Sequence, residues 1–137
     1  MDPGEIQAIV RAGVPLAGAW GVEVLAAADG MALVRLPRRA ELLRPGNTVS
    51  GPALMGLADI AMWAALLGVT AGRDESVTSN MTVNFLRPLA PGSVLAEARI
   101  VKRGKRMVFG EVLLRAEASR DVAVHVTTSW VVIAPPG

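Results

Sequence analysis

The sequence predicts an α+β domain: an antiparallel sheet of about six strands wrapped around one long central helix, with a short helix before it. Three observations carry this. Residues 52–71, PALMGLADIAMWAALLGVTA, are helical in pattern and apolar on every face except at Asp59. Six other segments alternate at the two-residue period of strands. Two of these precede the central helix and four follow it. A helix that is apolar all round must be enclosed, and one sheet curled around it satisfies that need.

Length and composition bound the function. The 137 residues suit a single domain, 1–137, with a core large enough to fold without staples. There is no cysteine, which excludes disulfides, thiolate metal sites and a cysteine nucleophile. One histidine excludes a multi-histidine metal site within one chain. Neither a metal nor another cofactor is expected. The net charge is only +2, and the high pI of about 9.9 comes from many arginines rather than a basic tail, so nucleic acid is not the expected partner. The first ten residues carry acids early and no basic leader, so they are not read as a signal peptide. The lack of cysteine suits a reducing compartment, and the cytoplasm is the expected location. Hydrophobic residues make up 52% of the chain, more than a small domain readily buries, which suggests a subunit interface.

Along the chain, residues 3–13 read as a short helix with Ile6, Ile9, Val10 and Val14 on one stripe. Strands are expected at 21–27 and 31–37, joined by an Asp29-Gly30 turn. A loop rich in Arg, Pro, Gly and Asn follows from 37 to 51. Pro52 suits the first helical position, and Gly68 or Gly72 can end the central helix. About 20 apolar residues would span a bilayer. However, an aspartate near the middle costs about 2.5–3.5 kcal/mol on insertion, and the rest of the chain reads as a water-soluble β-protein. The helix is therefore expected inside the sheet and not in a membrane. Strands follow at 76–86, 94–101, 106–117 and 122–132. The first of these should place Val77, Ser79, Met81, Val83 and Phe85 on one face. Short turns near Pro91-Gly92, Gly104 and Arg120-Asp121 favour an antiparallel meander.

Three stretches carry a family resemblance that runs from about residue 21 to residue 133. The first is Asn47-Thr48-Val49-Ser50-Gly51-Pro52, followed by Ala53 to Asp59. The second is Asn84-Phe85-Leu86-Arg87-Pro88. The third is the basic turn Val101-Lys102-Arg103-Gly104-Lys105-Arg106. In this order and spacing the chain resembles the hotdog-fold acyl-CoA thioesterases, most nearly those of the phenylacetate-degradation type. That family usually has His-Gly-Gly with an acid nine residues after the histidine. Ser50 to Asp59 keeps the spacing.

The resemblance implies roles residue by residue. Asp59 matches the family's acid, which acts as general base on water or as nucleophile on the thioester carbonyl. Read without the resemblance, a lone carboxylate on an apolar helix is costly if buried unpaired, and it can equally cap a loop or pair with an arginine. Gly51 matches the glycine whose N–H holds the oxyanion, and a helix N-terminus has such free donors whether or not it is catalytic. Pro52 replaces the second glycine and has no N–H. Ser50 stands at the histidine position, where a hydroxyl can also cap the helix. Arg44 replaces the usual water-positioning amide, leaving Asn47 as the amide nearby. Thr78 matches an assisting Ser/Thr, or is a strand threonine. Arg103, Gly104, Lys105 and Arg106, joined by Arg87, would hold coenzyme A phosphates, or form a solvated basic hairpin. Met55, Met62 and Trp63 can line an acyl pocket, or pack the core. His125 is expected on the other face of its strand, away from any site.

Gly51 and Asp59 are eight residues apart, about 12 Å along a helix. They cannot both touch one carbonyl, so a working site takes Gly51 from one chain and Asp59 from another. A homodimer, or a dimer of dimers, is therefore expected. The leading expectation is hydrolysis of an acyl-CoA thioester. The alternative is a non-catalytic acyl-CoA binder, which the changes at Arg44, Ser50 and Pro52 favour.

Overall fold

Asp2 opens the first helix. Its carboxylate accepts from the Glu5 N–H at 2.8 Å, and the Glu5 side chain reaches back to the Asp2 N–H. In the computed structural model, which describes residues 1–133, this cap starts α1, Pro3–Gly13; residues 134–137 of the expected domain lie outside the described residues. Ile6 and Val10 are fully buried, with Ile9 and Val14 packed beside them. A second short helix, α2 (Pro15–Ala19), follows directly. Pro15 explains the break, because it forces Val14 into the extended conformation.

Strands β1 (Glu23–Ala28) and β2 (Met31–Leu36) form the expected hairpin. Asp29 and Gly30 both have positive φ, as a tight two-residue hairpin turn requires. Residues 37–51 hold more structure than a loop: a 3₁₀ turn at Ala40–Leu42, then a small ribbon of β3 (Leu43–Arg44) and β4 (Thr48–Val49). Then comes the central helix, α3 (Gly51–Val69), with eleven buried residues. It is long and apolar enough to cross a membrane by length and composition, but the fold encloses it. Gly68 stays inside the helix. The stop is made by Thr70, whose hydroxyl donates to the Leu66 carbonyl at 2.8 Å, and by Gly72, which turns at φ 80° and donates its N–H to the Leu67 carbonyl.

Strands β5 (Ser76–Phe85), β6 (Val94–Arg103), β7 (Met107–Ala116) and β8 (Val124–Val132) complete an antiparallel sheet of six long strands. Its order is β1-β2-β6-β7-β8-β5. The expected meander holds for β6, β7 and β8 but not for β5, which pairs with β8 at the edge. Pro91-Gly92 is thus no hairpin turn, because residues 86–93 carry the chain from the edge back to the middle. That crossing is tied down at both sides. Leu86 and Arg87 donate to the Ala123 carbonyl, and Val49 donates to that of Leu89, a buried side chain.

The helix packs chiefly on β1, β2, β6 and β7. Inward positions alternate as expected on β6, β7 and β8, with Ala96, Ala98, Val112, Leu114, Val124 and Val126 fully buried. Met62 is fully buried and fills the space left by Gly110, where any Cβ would collide with it; it is a core residue. Trimming a helix residue such as Leu57, also fully buried, would cost about 2–5 kcal/mol.

Strand β5 departs from simple alternation. Its register against β8 shifts between Thr78 and Asn80, so Ser79 is an extra residue, a β-bulge. Before it, Ser76 and Thr78 lie opposite Val132 and Trp130; after it, Met81, Val83 and Phe85 lie opposite Thr128, Val126 and Val124. These face the helix. Val77, paired with Val131, is on the outer side. The expected grouping of Val77 and Ser79 with Met81, Val83 and Phe85 is therefore wrong, because one inserted residue inverts the alternation.

Candidate active site

Asp59 sits in the middle of α3, where it looks toward β5 and β8 rather than into the packed side of the sheet. Among the described residues it has no cation within ion-pairing distance. Its one hydrogen bond comes from the Thr78 hydroxyl, at 2.6 Å. The bulge makes this contact possible by turning Thr78 inward. Burial pushes the Asp59 carboxyl above its ordinary value, and the Thr78 hydroxyl opposes that only in part. The ion-pair role considered for this residue is absent.

A cleft of about 430 Å³ opens over the carboxylate. Ile60 and Trp63 from α3, Val14 from the α1–α2 break and Trp130 from β8 give it apolar walls. Gly13 is part of that wall for a steric reason: a Cβ there would come within 2.6 Å of the Trp63 ring. Asp74 also lines the cleft and accepts from the Ser76 hydroxyl at 2.6 Å and from the Ser76 N–H. Neither Gly13 nor Asp74 was anticipated. Their signals, a glycine between two apolar runs and an acid before a strand, are common in sequences that bind nothing. Met55 lies one helical turn before Asp59, is exposed, and does not line this cleft.

Gly51 begins α3 at its other end. Of the first four N–H positions, Pro52 has none, Ala53 donates to the Ser50 hydroxyl at 3.3 Å, and Leu54 donates to the Ser50 carbonyl. The Gly51 N–H is the donor left over, at the positive end of the helix dipole. It lies against Phe85, whose ring would be 3.6 Å from a Cβ on Gly51. Ser50 caps the helix. Asn47 lies in the β3–β4 turn with φ 59° and is exposed, as is Arg44.

The sheet register separates these groups into two ends. Arg103, Val108, Trp130 and Thr78 are successive partners across β6, β7, β8 and β5, so the basic turn shares the Asp59 end. Arg103, Gly104, Lys105 and Arg106 are all exposed there. Phe85 pairs with Val124 at the far end, six residues along β8 and about 20 Å away. Arg87 is at that far end, where it pairs with Asp121 at 3.1 Å. The expectation that Arg87 joins the basic turn does not hold within one chain. His125 lies on the outer face against Glu111.

The arrangement has clear relatives. The sequence profile of the thioesterase superfamily matches residues 46–123. A protein of Saccharolobus solfataricus that carries an esterase name is 27% identical over 112 residues, spanning 82% of this chain and 79% of that protein. The crystal structure of a protein named as a thioesterase from Silicibacter sp. TM1040 superposes with a TM-score of 0.88 at 29% identity, covering 99% of this chain and 93% of that one. A mutant of the phenylacetic acid degradation protein PaaI from Thermus thermophilus gives 0.76 at 28% identity, covering 87% and 99%. With its six-stranded antiparallel sheet around one long helix, the chain belongs to the thioesterase superfamily, in the hotdog fold and of the PaaI-like type.

Proposed function

We propose that the protein hydrolyses an acyl-CoA thioester to the free acid and CoA, with Asp59 as its reactive carboxylate. One observation carries this reading: among the described residues, Asp59 is a half-buried carboxylate with no cation beside it, open to an apolar-walled cleft and held by a single hydroxyl. Such a group is a better proton acceptor than an ordinary aspartate. Thioester hydrolysis is also the reaction to which the superfamily match points.

In the simplest sequence, Asp59 takes a proton from water as the water oxygen bonds to the thioester carbonyl carbon. The carbonyl oxygen becomes an oxyanion, held by the Gly51 N–H of a second subunit. The C–S bond then breaks, and the proton passes to the departing CoA sulfur. If Asp59 instead attacks the carbonyl directly, a mixed anhydride forms and water cleaves it in a second step. In a single turnover in ¹⁸O-water, label in Asp59 identifies the anhydride route with water attacking the Asp59 carboxyl carbon, whereas water attacking the acyl carbon labels only the product acid, as direct hydrolysis does. Pro52 limits the oxyanion site to one backbone donor. Asn47, four residues before Gly51 in the chain, is the amide proposed to supplement it.

The second subunit has support in the sheet edge. Strand β5 is ten residues long, carries no charge and no proline, and has no neighbour on its outer side. Such an edge normally pairs or is covered. Two-fold pairing of β5 with its own copy would bring the Phe85 end of one chain, with Gly51, to the Thr78 end of the other, with Asp59. It would also bring Arg87 toward the other chain's basic turn, which would receive the CoA phosphates at Arg103, Gly104, Lys105 and Arg106. Trp63 would meet the acyl group.

Thiol release from a panel of acyl-CoA esters, measured with sedimentation at the same concentration, tests the proposal. Turnover by a dimer or larger assembly is expected. An active monomer would end the shared-site reading. Binding without turnover would favour the acyl-CoA binder, which the single donor at Gly51-Pro52 also favours.

A further inference from the structure

We propose that Thr128 is a positioning residue for Asp59: its hydroxyl holds the β5 bulge in the shape that turns Thr78 toward the carboxylate. Thr128 is completely buried on the helix-facing side of β8. Its hydroxyl donates to the Asn80 carbonyl at 2.9 Å and accepts from the Trp130 indole N–H at 3.1 Å. Asn80 is the first residue after the bulge, and Trp130 is the β8 partner of Thr78, the last residue before it. The hydroxyl is thus tied to both sides of the irregularity. The indole fixes its direction, because an indole N–H can only donate, which leaves the hydroxyl proton for Asn80.

The bulge matters because the orientation of Thr78 depends on it. The apolar pattern of Met81, Val83 and Phe85 fixes the inward face of the second half of β5. If β5 ran through Ser79 as a regular strand, that pattern would place Thr78 on the outer side, and its 2.6 Å bond to Asp59 would be lost. A bulge leaves the local ladder irregular, and a buried side-chain donor at that point stabilises one of several backbone shapes. Among the described residues, no cation lines the cleft around Asp59. The other titratable side chain lining it is Asp74, which is engaged by Ser76. The Thr78 bond therefore dominates the polar surroundings of the carboxylate.

The inference rests on Asp59 as the reactive carboxylate only for its kinetic consequence. The positioning itself is measurable without turnover. The chain has five aspartates, so the ¹³C carboxyl resonance of Asp59 can be assigned by its loss in Asp59→Asn and then titrated. Thr128→Val keeps the shape and removes the hydroxyl, whereas Thr128→Ser keeps the hydroxyl. The Asp59 titration should move upward in Thr128→Val, as it should in Thr78→Val, because a bond that favours the charged form is lost. Thr128→Ser should titrate like the wild type. In a Thr78→Val background, Thr128→Val should add nothing. The kcat of Thr128→Val should fall about tenfold, the factor carried by one hydrogen bond, and the acid limb of its pH profile should move with the titration. If Thr128→Val does not fold, Trp130→Phe removes the indole donor and should shift the titration in the same direction. An unmoved Asp59 titration in a folded Thr128→Val, or a Thr128→Ser that behaves like the valine variant, overturns the proposal. Full turnover by Asp59→Asn would instead overturn the proposed chemistry and leave the titration result standing.

Discussion

Two carboxylates on opposite sides of the same sheet have opposite surroundings. Glu111 lies on the outer face of β7, between Arg99 at 3.3 Å and His125 at 2.9 Å. The hydrogen bond from His125, with the charges of His125 and Arg99, holds Glu111 below the usual carboxylate range. Asp59 lies on the helix side with one hydroxyl, and burial raises it. The rest of the outer face follows Glu111. Arg35 bridges Glu23 and Glu117, and Arg115 meets Glu97. Where a carboxylate only has to be tolerated, this fold supplies a cation from the neighbouring strand. At Asp59 it supplies none, which keeps the group basic at a cost in stability. Those are the properties expected of a reactive residue and not of a structural one.

The hardest way to break the contrast is to remove the inner charge. Asp59→Asn should lower kcat by about 10²–10⁴, with little change in KM, as expected for loss of a general base. Its folding should not suffer. The folded-state value of Asp59 is raised, so the native protein holds this proton more tightly than the unfolded chain. Wild-type stability is therefore lost as pH rises through the folded-state value, and the asparagine avoids that loss. Thermal melting of both proteins, on the samples used for turnover, checks this. A stable asparagine variant with wild-type turnover would reject Asp59 as catalyst.

The basic turn comes next in size. Arg103→Glu or Arg106→Glu should raise KM for a CoA ester about tenfold, the scale of one charge-assisted hydrogen bond, and added salt should act in the same direction. A short thioester without the nucleotide should be indifferent to both. Equal effects on the two substrates would return the turn to solvent. Smaller still, Trp63→Ala should deepen the cleft beside Asp59 and raise the kcat/KM ratio of longer over shorter acyl groups by a few-fold, within the range of one or two methylenes. An unchanged chain-length profile would leave Trp63 as a packing residue.

Much of this molecule is legible in its sequence, and the failures have definite causes. The central helix could be read because it is apolar all round, and Asp59 because it is the one exception. Strands β7 and β8 follow the two-residue period to the end, and β6 follows it as far as Ile100, where its register against β7 shifts. Strand β5 misled twice. Its place beside β8 depends on a crossing anchored by Leu89 and the Ala123 carbonyl, contacts between residues far apart in the chain. Its bulge depends on one extra residue. The polar Ser79 at an expected inward position was the single trace of it, and a polar residue in a strand is too common to be decisive. Thr128 and its bonds left no trace, since a threonine in a strand is ordinary. Arg87 is separated from the basic turn by the length of β6, as it would be in a β5–β6 hairpin too, because the turn lies at the far end of that strand. In this chain local pattern sufficed wherever an element packs along its whole length, and failed where a single residue changes the register.

The smallest predicted effect completes the contrast from the outer side. Glu111→Gln should leave kcat unchanged and alter stability by no more than about 1 kcal/mol, because half-exposed pairs contribute little. Its value lies in the sign of its pH dependence. Glu111 is lowered in the folded state, so its contribution is present above the unfolded-state value and is lost as pH falls through the folded-state value. The glutamine variant should therefore match the wild type in acid and fall below it as pH rises through the carboxylate range. Asp59→Asn should also match the wild type in acid, but rise above it. Two carboxylate-to-amide changes on opposite sides of one sheet should thus open stability gaps of opposite sign over the same pH interval. Melting curves of the three proteins from acid to neutral pH would show it, and gaps of the same sign would mean that Asp59 has a stabilising partner after all.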